Sequence, residues 1–249
     1  MSKSRQGFGD ACRAATAALS VAALGASAPY APAVERPGRF ERSYTPRGAA
    51  HFTLSNVSGD ITVTAWGRRT VSVLAITESP AAIEDRVVGT DILVSVKQAA
   101  PTIRADFRIY VPANTSLSLK NVLGKINVSG VTGDIVVTSF ESEVRLQDVQ
   151  AASVEVRVTT GDIYFDGQLR EGGAYSFQSM KGDIDLNLPG GAAFNLAARA
   201  LSEKINLGEF AKGLTGVTKG AKMVSGNHLA GGPRLTVTTY DGRIVLHKK

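Results

Sequence analysis

Gly182-Asp183-Ile184-Asp185-Leu186 is one copy of a five-residue pattern that recurs along this chain of 249 residues. Each copy has a small turn residue, a charged residue, and a short strand whose apolar residues lie two positions apart. Clear copies begin at Gly59, Gly124, Gly133, Gly161 and Gly242, and degenerate copies begin at Ser142 and Glu203. The recurrence predicts a protein built from repeated short strands.

The spacing of the copies predicts how the strands stack. A fixed period near 20 residues with two strands per repeat indicates a β-solenoid, in which coils about 4.8 Å apart complete each other's hydrogen bonds. We expect residues 234–246 to close the stack. The central apolar residues of one strand set are expected to form a buried column, and they are Ile126, Val144, Ile163, Ile184, Ile205 and, further on, Ile244.

The predicted fold class is therefore all-β. It is a single-stranded parallel β-solenoid (β-helix) with coils of about 20 residues and an antiparallel strand region near the N-terminal end. A β-sandwich also has short strands at a spacing of roughly 8–12 residues and is the competing architecture. The motif and its turns recur at a similar phase, which favours the solenoid.

The chain divides into a leader, a linker and one repeat domain. Residues 1–33 have a basic start, a small apolar run and small-residue cleavage sites, which is typical of a signal peptide. A disordered Ala-rich leader or a short membrane anchor is the alternative. Residues 34–49 are rich in Pro, Arg and Gly and predict an extended linker. Residues 50–249 form the β-solenoid domain, in which we expect an irregular strand insertion at 71–111 and a loop at 209–233.

Composition limits the class of function. Without residues 1–33, which hold three basic residues and one acidic residue, the net charge falls from +6 to +4. No Lys/Arg block remains, so nucleic-acid binding is not supported. The only cysteine, Cys12, lies in the leader, so the mature chain has no disulfide and no thiol nucleophile. We expect no transmembrane segment in the mature chain.

Carboxylates at the second motif position are the first candidates for chemistry. Stacked coils would place Asp162 beside Asp183, where the pair could bind a cation or act as acid and base on a polysaccharide. The alternative is structural, since Asp after Gly often bonds the turn backbone. Other copies have Lys or Arg at this position, which favours the structural role. A groove shared by Asp134, Asp162, Asp183 and residues 209–233 would instead favour an enzyme.

The remaining polar candidates are weaker. His51, His228 and His247 are too scattered for a metal site. His228 lies in the irregular region 209–233, where it could serve a site, although a solvated loop histidine is the simpler interpretation. No phosphate-binding glycine loop and no Gly-x-Ser-x-Gly elbow occurs in the sequence.

Aromatic residues offer one further hypothesis. Trp66, with Tyr44 and Tyr110, could form a sugar-stacking surface or could close the end of the core. Taken together, these residues lead us to predict no catalytic residue, no metal ligand and no bound cofactor.

A family resemblance adds to this interpretation. The run Asn56-Val57-Ser58-Gly59-Asp60-Ile61-Thr62-Val63, followed by Ala65-Trp66-Gly67 and Val71-Ser72-Val73, resembles the start of the bacterial putative-adhesin β-strand-repeat domains. The later Gly-Asp-Ile copies extend the likeness over roughly residues 50–247. The resemblance implies a right-handed single-stranded β-solenoid and a cell-envelope location. It supplies no catalytic or binding residues.

The leading hypothesis is an exported β-solenoid, periplasmic or at the cell surface, that acts as a non-enzymatic adhesin-like interaction or scaffold module. Its expected partner is an envelope protein or glycan. Self-association through the solenoid ends is a further hypothesis. The alternative function is a carbohydrate-active enzyme on a parallel β-helix that uses surface carboxylates.

Overall fold

The computed structural model describes residues 38–77, 83–97, 104–202, 204–220 and 222–249. The signal peptide predicted for residues 1–33 lies outside these ranges, as do the first four residues of the predicted linker. Within the described ranges, no helix has the length and apolarity needed to cross a membrane.

The described regular structure is almost entirely β-strand. The strands are β1 (Arg39–Tyr44), β2 (His51–Ser55), β3 (Ile61–Trp66), β4 (Val71–Thr77), β5 (Ile83–Val88), β6 (Asp91–Val96), β7 (Ala105–Pro112), β8 (Ser116–Ser129), β9 (Ile135–Val149), β10 (Ser153–Thr160), β11 (Ile163–Gly167), β12 (Ala174–Lys181), β13 (Ile184–Leu188), β14 (Phe194–Ala200), β15 (Ile205–Asn206), β16 (Leu214–Gly220), β17 (Met223–His228), β18 (Arg234–Asp241) and β19 (Ile244–Lys248). A 3-10 helix, Gly208–Gly213, precedes β16. The expected all-β, solenoid-like repeat fold is confirmed.

The strands belong to one sheet that consists of two ladders, which the long strands β8 and β9 join. In the first ladder the parallel order is β6, β2, β8, β9, β10, β12, β18, β14. In the second ladder the parallel order is β7, β3, β8, β9, β11, β13, β19, β15. The core lies between the ladders, as shown by the rings of Phe165 (β11) and Phe177 (β12), whose centroids are 5.0 Å apart.

Antiparallel strands extend both ends. At the N-terminal end, β5 pairs with β6, β4 pairs with β7, and β1 pairs with β4. At the C-terminal end, the hairpin of β16 and β17 pairs with β14. The antiparallel region expected near the N-terminal end is therefore present. A second antiparallel region covers the edge of β14, the last strand of the first ladder.

The buried column of the second ladder follows the spacing of the repeats. Ile163 lies beside Val144 on one side and Ile184 on the other, and Val144 lies beside Ile126. All four side chains are fully buried. Stiff β-branched side chains suit a pleated surface, and each fully buried member contributes roughly 1.5–3 kcal/mol.

The order of the last coils differs from the prediction. Ile244 lies between Ile184 and Ile205, so residues 234–246 enter the stack one coil before its end and do not close it. An interior strand must hydrogen-bond both neighbours. The final motif copy provides strands of 8 and 5 residues with a glycine at the bend, whereas β15 has only 2 residues. The more complete copy therefore occupies the interior position.

Residues 71–111 are only partly an insertion. β4 and β5 are antiparallel, but β6 and β7 pair in parallel with β2 and β3 and form the outermost coil. This coil has alternating buried residues, among them Ile92 and Phe107, but no Gly-Asp-Ile copy. The repeat motif therefore could not reveal it.

Two predicted irregular segments contain strands. β1 lies inside the predicted linker 34–49. Phe40 and Tyr44 are buried on one face of this strand, and all six of its residues pair with β4. The predicted loop 209–233 contains most of the 3-10 helix and the hairpin of β16 and β17. That hairpin is polar and glycine-rich, so it lacks the apolar alternation from which strands are predicted.

Candidate functional site

The motif aspartates connect one coil to the next. Asp162 Oδ1 accepts a hydrogen bond from the backbone N–H of Asp183 at 2.8 Å. Asp183 Oδ1 in turn accepts one from the backbone N–H of Arg243 at 2.8 Å, and Arg243 Nε donates to Asp183 Oδ2 at 3.0 Å. These contacts favour the structural role. The N–H that each aspartate binds belongs to the neighbouring coil, and not to the turn that contains the aspartate.

Two neighbouring aspartates have opposite pKa shifts. The hydrogen bond from the Arg243 side chain lowers the pKa of Asp183. Burial raises the pKa of Asp185, although His247, with Nε2 at 3.9 Å from Asp185 Oδ1, acts in the opposite direction. Asp183 is therefore held in its charged form by a specific partner, whereas ionised Asp185 is disfavoured by its surroundings.

The carboxylates named for an enzyme groove belong to different parts of the fold. Asp134 precedes β9 and accepts the backbone N–H of Ser153 at 3.2 Å, at the start of first-ladder strands. Asp162 and Asp183 precede β11 and β13 in the second ladder. Among the described residues, no three His, Cys, Asp or Glu side chains are grouped so as to hold a metal ion.

A buried polar residue three positions before the motif glycine is a feature that the sequence analysis missed. Asn121 Nδ2 donates to the carbonyl oxygen of Gly59 at 3.1 Å. Ser179 Oγ donates to Gly161 O at 3.0 Å, and Thr239 Oγ1 donates to Gly182 O at 2.9 Å. These bonds satisfy backbone carbonyls at the bend between the ladders. The available signal was a polar residue at this offset from several of the glycines, although Val158 occupies the position before Gly161.

The residue after this buried polar position is large, apolar and exposed in four coils. The exposed fractions are 46% for Val122, 58% for Phe140, 50% for Met180 and 45% for Tyr240. The register places them in line on β8, β9, β12 and β18, with Thr159 of β10 between Phe140 and Met180. We call Val122, Phe140, Met180 and Tyr240 the outer column.

Charged side chains border the outer column on both sides. All of them are exposed: Lys120, Arg157 and Arg199 on one side, and Glu141, Lys181 and Asp241 on the other. An apolar centre with a polar, mixed-charge rim is the usual composition of a protein-binding surface. The column is therefore the described surface whose arrangement best fits a macromolecular contact.

The three aromatic residues do not form one sugar-stacking surface. The Trp66 ring stacks on Tyr110 with centroids 5.2 Å apart, and the Arg68 guanidinium lies 5.0 Å from the Trp66 ring centre. Tyr44 is buried and donates its hydroxyl to Asp85 Oδ2 at 2.9 Å. Trp66 thus makes its ring contacts within the protein, and Tyr44 belongs to the core.

The three histidines lie apart, and His228 is not the solvated loop residue that was expected. It is 6% exposed, at the end of β17. Its ring stacks on Phe194 with centroids 5.1 Å apart and meets the edge of Phe210 at 5.0 Å. His51 and His247 are exposed and lie on other strands.

Comparison with known proteins places these features in a family. The family model described as Toastrack DUF4097 matches residues 43–247, which include both ladders and the outer column. No curated protein matches the sequence.

Several solved structures are similar. One is a putative cell adhesion protein from Clostridium sporogenes, with 13% identity and a TM-score of 0.48 over 86% of this chain and 100% of that one. Another is a putative adhesin from Bacteroides fragilis, with 14% identity and a TM-score of 0.41 over 84% of this chain and 96% of that one. A putative lipid binding protein from Parabacteroides distasonis has 10% identity and a TM-score of 0.34 over 85% and 95%.

Proposed function

The chain belongs to the Toastrack DUF4097 family, and we propose that it is an exported, non-enzymatic, adhesin-like interaction or scaffold module of the cell envelope. The outer column is the observation that supports this function. The column has two apolar pairs, Val122 with Phe140 and Met180 with Tyr240, on either side of Thr159. Exposed apolar residues that are grouped and rimmed by polar residues are typical of binding surfaces. The partner, an envelope protein or glycan, would cover the column while the charged rows set its orientation.

The column is large enough to contribute measurably to binding. Full burial of a side chain of this size contributes roughly 1.5–3 kcal/mol of free energy. Covering the exposed half of one such side chain therefore contributes on the order of 1 kcal/mol to binding. The conformational entropy that the partner loses on binding offsets part of the total contribution of the four side chains. The four side chains are held on paired strands, which lowers the entropy that they lose when a partner docks.

The proposal includes a continuous solenoid as the rigid support of the column. We take each coil to be a right-handed turn of a single chain with about 20 residues, as the family resemblance implies. The pairing of Ile163 with Ile184, 21 positions apart, supports this coil length. A rod of this kind presents its side chains at a fixed spacing of about 4.8 Å per coil.

Site-specific photo-crosslinking tests the binding surface. A photoreactive amino acid at position 140, in the full chain expressed in its native cells, should yield a crosslinked adduct. The same amino acid at Asn187, an exposed position on β13 of the second ladder, is the matched control. The double variant Phe140→Ser, Met180→Ser should abolish adduct formation from position 122 while retaining the wild-type melting temperature. Equal adduct yield from positions 140 and 187 would contradict the proposal.

Cell fractionation tests export. The full chain should be recovered from the periplasm or cell surface, shortened by the leader, as mass spectrometry of its N-terminus would show. A variant with Arg in place of Leu24, within the apolar run, should remain unprocessed. Recovery of the wild-type chain in the cytoplasm at full length would remove this part of the proposal.

Activity assays test the non-enzymatic part. The purified mature chain should show no turnover of envelope glycans. Turnover that is lost in Asp162→Asn and Asp183→Asn variants that still fold would instead establish the carbohydrate-active alternative.

A further inference from the structure

A cavity near the C-terminal end of the fold brings a buried histidine together with two lysines. Its volume is about 340 Å³, and its lining residues are Gly190, Glu209, Phe210, Lys212, His228 and Lys248. They come from the turn after β13, the 3-10 helix, β17 and β19. A cavity of this size is within the usual range for sites that hold a small ligand.

The orientation of His228 is fixed, and one of its nitrogens remains available. Its Nδ1 lies 2.6 Å from the carbonyl oxygen of Ala192. A carbonyl oxygen only accepts, so Nδ1 carries the hydrogen, and Nε2 of the neutral ring has a lone pair. Among the described residues, Nε2 has no hydrogen-bond partner. The ring lines the cavity, so a ligand group there could become the partner of Nε2.

Two glycines lie against side chains that line the cavity. A Cβ on residue 213 would lie 2.6 Å from Nε2 of His228 and would block it. A Cβ on residue 190 would collide with Cε of Lys248. Gly213 and Gly190 therefore allow the main chain to lie close to the imidazole and to the lysine side chain.

The charges of the lining favour an anion. Lys248 Nζ lies 3.2 Å from Glu209 Oε2, so these two charges offset each other. Lys212 is exposed at the cavity and has no ion pair among the described residues. An anion that entered would receive hydrogen bonds from Lys212 and Lys248.

We propose that this cavity binds a phosphate monoester. Near neutral pH such a group is mainly a dianion and in smaller part a monoanion that keeps one O–H, because its second pKa is about 6. The O–H would donate to Nε2 of His228, and the charged oxygens would accept from Lys212 and Lys248. A carboxylate or a sulfate brings no proton of its own, so its hydrogen bond with Nε2 would require the imidazole to take up a proton from solvent.

Titration calorimetry on the mature chain tests the site with three probes: glycerol 3-phosphate, inorganic sulfate, and phosphatidylcholine vesicles that contain phosphatidic acid. We expect phosphate to bind and sulfate to bind at least tenfold more weakly. Binding of free glycerol 3-phosphate indicates a soluble ligand, and binding to the vesicles alone indicates a lipid headgroup. Binding to neither, or sulfate binding as tightly as phosphate, overturns the proposal.

Matched variants assign the binding to the cavity. Lys212→Ala should weaken binding about tenfold or more, because it removes a charge-assisted hydrogen bond. Lys222→Ala removes another exposed charge, between β16 and β17 and outside the cavity lining, and should leave binding unchanged. Equal losses from the two variants would identify a non-specific charge effect and would reject the site.

Nuclear magnetic resonance of the wild-type protein avoids any loss of folding from a change at the buried ring. Saturating glycerol 3-phosphate should shift the Nε2 resonance of His228 and leave those of His51 and His247 in place. No shift at His228 would show that the ligand does not reach the imidazole, and would refute the assignment.

Discussion

Gly182 shows why the motif begins with glycine. Its φ of +149° lies in a region that side chains with a Cβ rarely adopt, and a Cβ there would collide with the carbonyl oxygen of Gly161 in the neighbouring coil. Gly242 approaches Gly182 O in the same way. The glycine is therefore required by the stacking of coils, and not only by the turn within one coil.

We predict that Gly182→Ala lowers the free energy of unfolding by roughly 3 kcal/mol, because backbone strain and the collision with Gly161 add together. Gly191→Ala is the matched control, since no atom lies within 4 Å of a Cβ at that position. Urea unfolding at 25 °C measures both. Equal unfolding midpoints for the two variants would show that the coils are not packed this closely.

The pKa shift of Asp183 predicts a pH-dependent contribution. Its folded-state pKa is lowered by Arg243, so ionised Asp183 stabilises the fold at pH values above its unfolded-state pKa of about 3.9. The contribution is lost as the pH falls through the lower, folded-state pKa. Asp183→Asn should therefore be less stable than wild type at pH 7, with the difference disappearing in acid.

Asp185→Asn provides a control for which the opposite pH dependence of stability is expected. Burial raises the folded-state pKa of Asp185, so its ionised form lowers stability once the pH rises through that value. The Asn variant should be at least as stable as wild type at pH 7 and should lose this advantage in acid. Thermal unfolding between pH 3 and pH 7 compares the two variants, and parallel curves would contradict both assignments.

At the scale of one element, β13 shows how period-two alternation separates core from surface. Ile184, Leu186 and Leu188 are buried, and Asn187 between the last two is exposed. Neighbouring strands β11 and β19 pair with β13 on both sides, so an inward side chain has no route to solvent. The strand therefore tolerates polar residues on one face only.

We predict that Ile184→Lys prevents stable folding, because it places an unpaired charge in the buried column, at a cost above roughly 4 kcal/mol. Asn187→Lys, on the same strand but facing outward, should change stability by less than about 0.5 kcal/mol. Circular dichroism and thermal melting measure both. Similar melting temperatures for the two variants would reject the inward orientation of Ile184.

At the scale of the whole molecule, the ends of the ladders determine whether coils can add to one another. β5 is the edge strand of the first ladder at the N-terminal end, and it carries the exposed charges Glu84 and Arg86. Charged side chains on an edge oppose pairing with another chain. We therefore expect end-to-end association, which the sequence suggested as a hypothesis, to be disfavoured at this end.

The double variant Glu84→Val, Arg86→Val should associate as its concentration rises, since it removes those charges from the β5 edge. The double variant Lys125→Val, Asn127→Val also introduces two valines, in place of one charged and one neutral polar residue, in β8, whose two edges are already paired. Sedimentation velocity over a concentration series distinguishes the two. Association of the β8 variant alone would show that the edge of β5 is not the vulnerable site.

Residue types and their spacing were enough to predict the repeated unit: the glycine at the bend, the inward aliphatic residues such as Ile163, and the strand period. These properties depend on local backbone geometry and on burial within one coil. Residue type and spacing indicate both of them. The buried polar residue three positions before several of the glycines, such as Ser179 before Gly182, was not recognised, because its partner lies in another coil.

The order in which the coils lie beside one another is seen only in the folded protein. Copies of one motif offer nearly the same strand to a neighbour, so spacing along the chain cannot reveal that Ile244 lies between Ile184 and Ile205. The same holds for the outer column and for the cavity around His228. Both are formed by side chains from strands distant in sequence, which come together only when hydrogen bonding and burial fix the order of the whole stack.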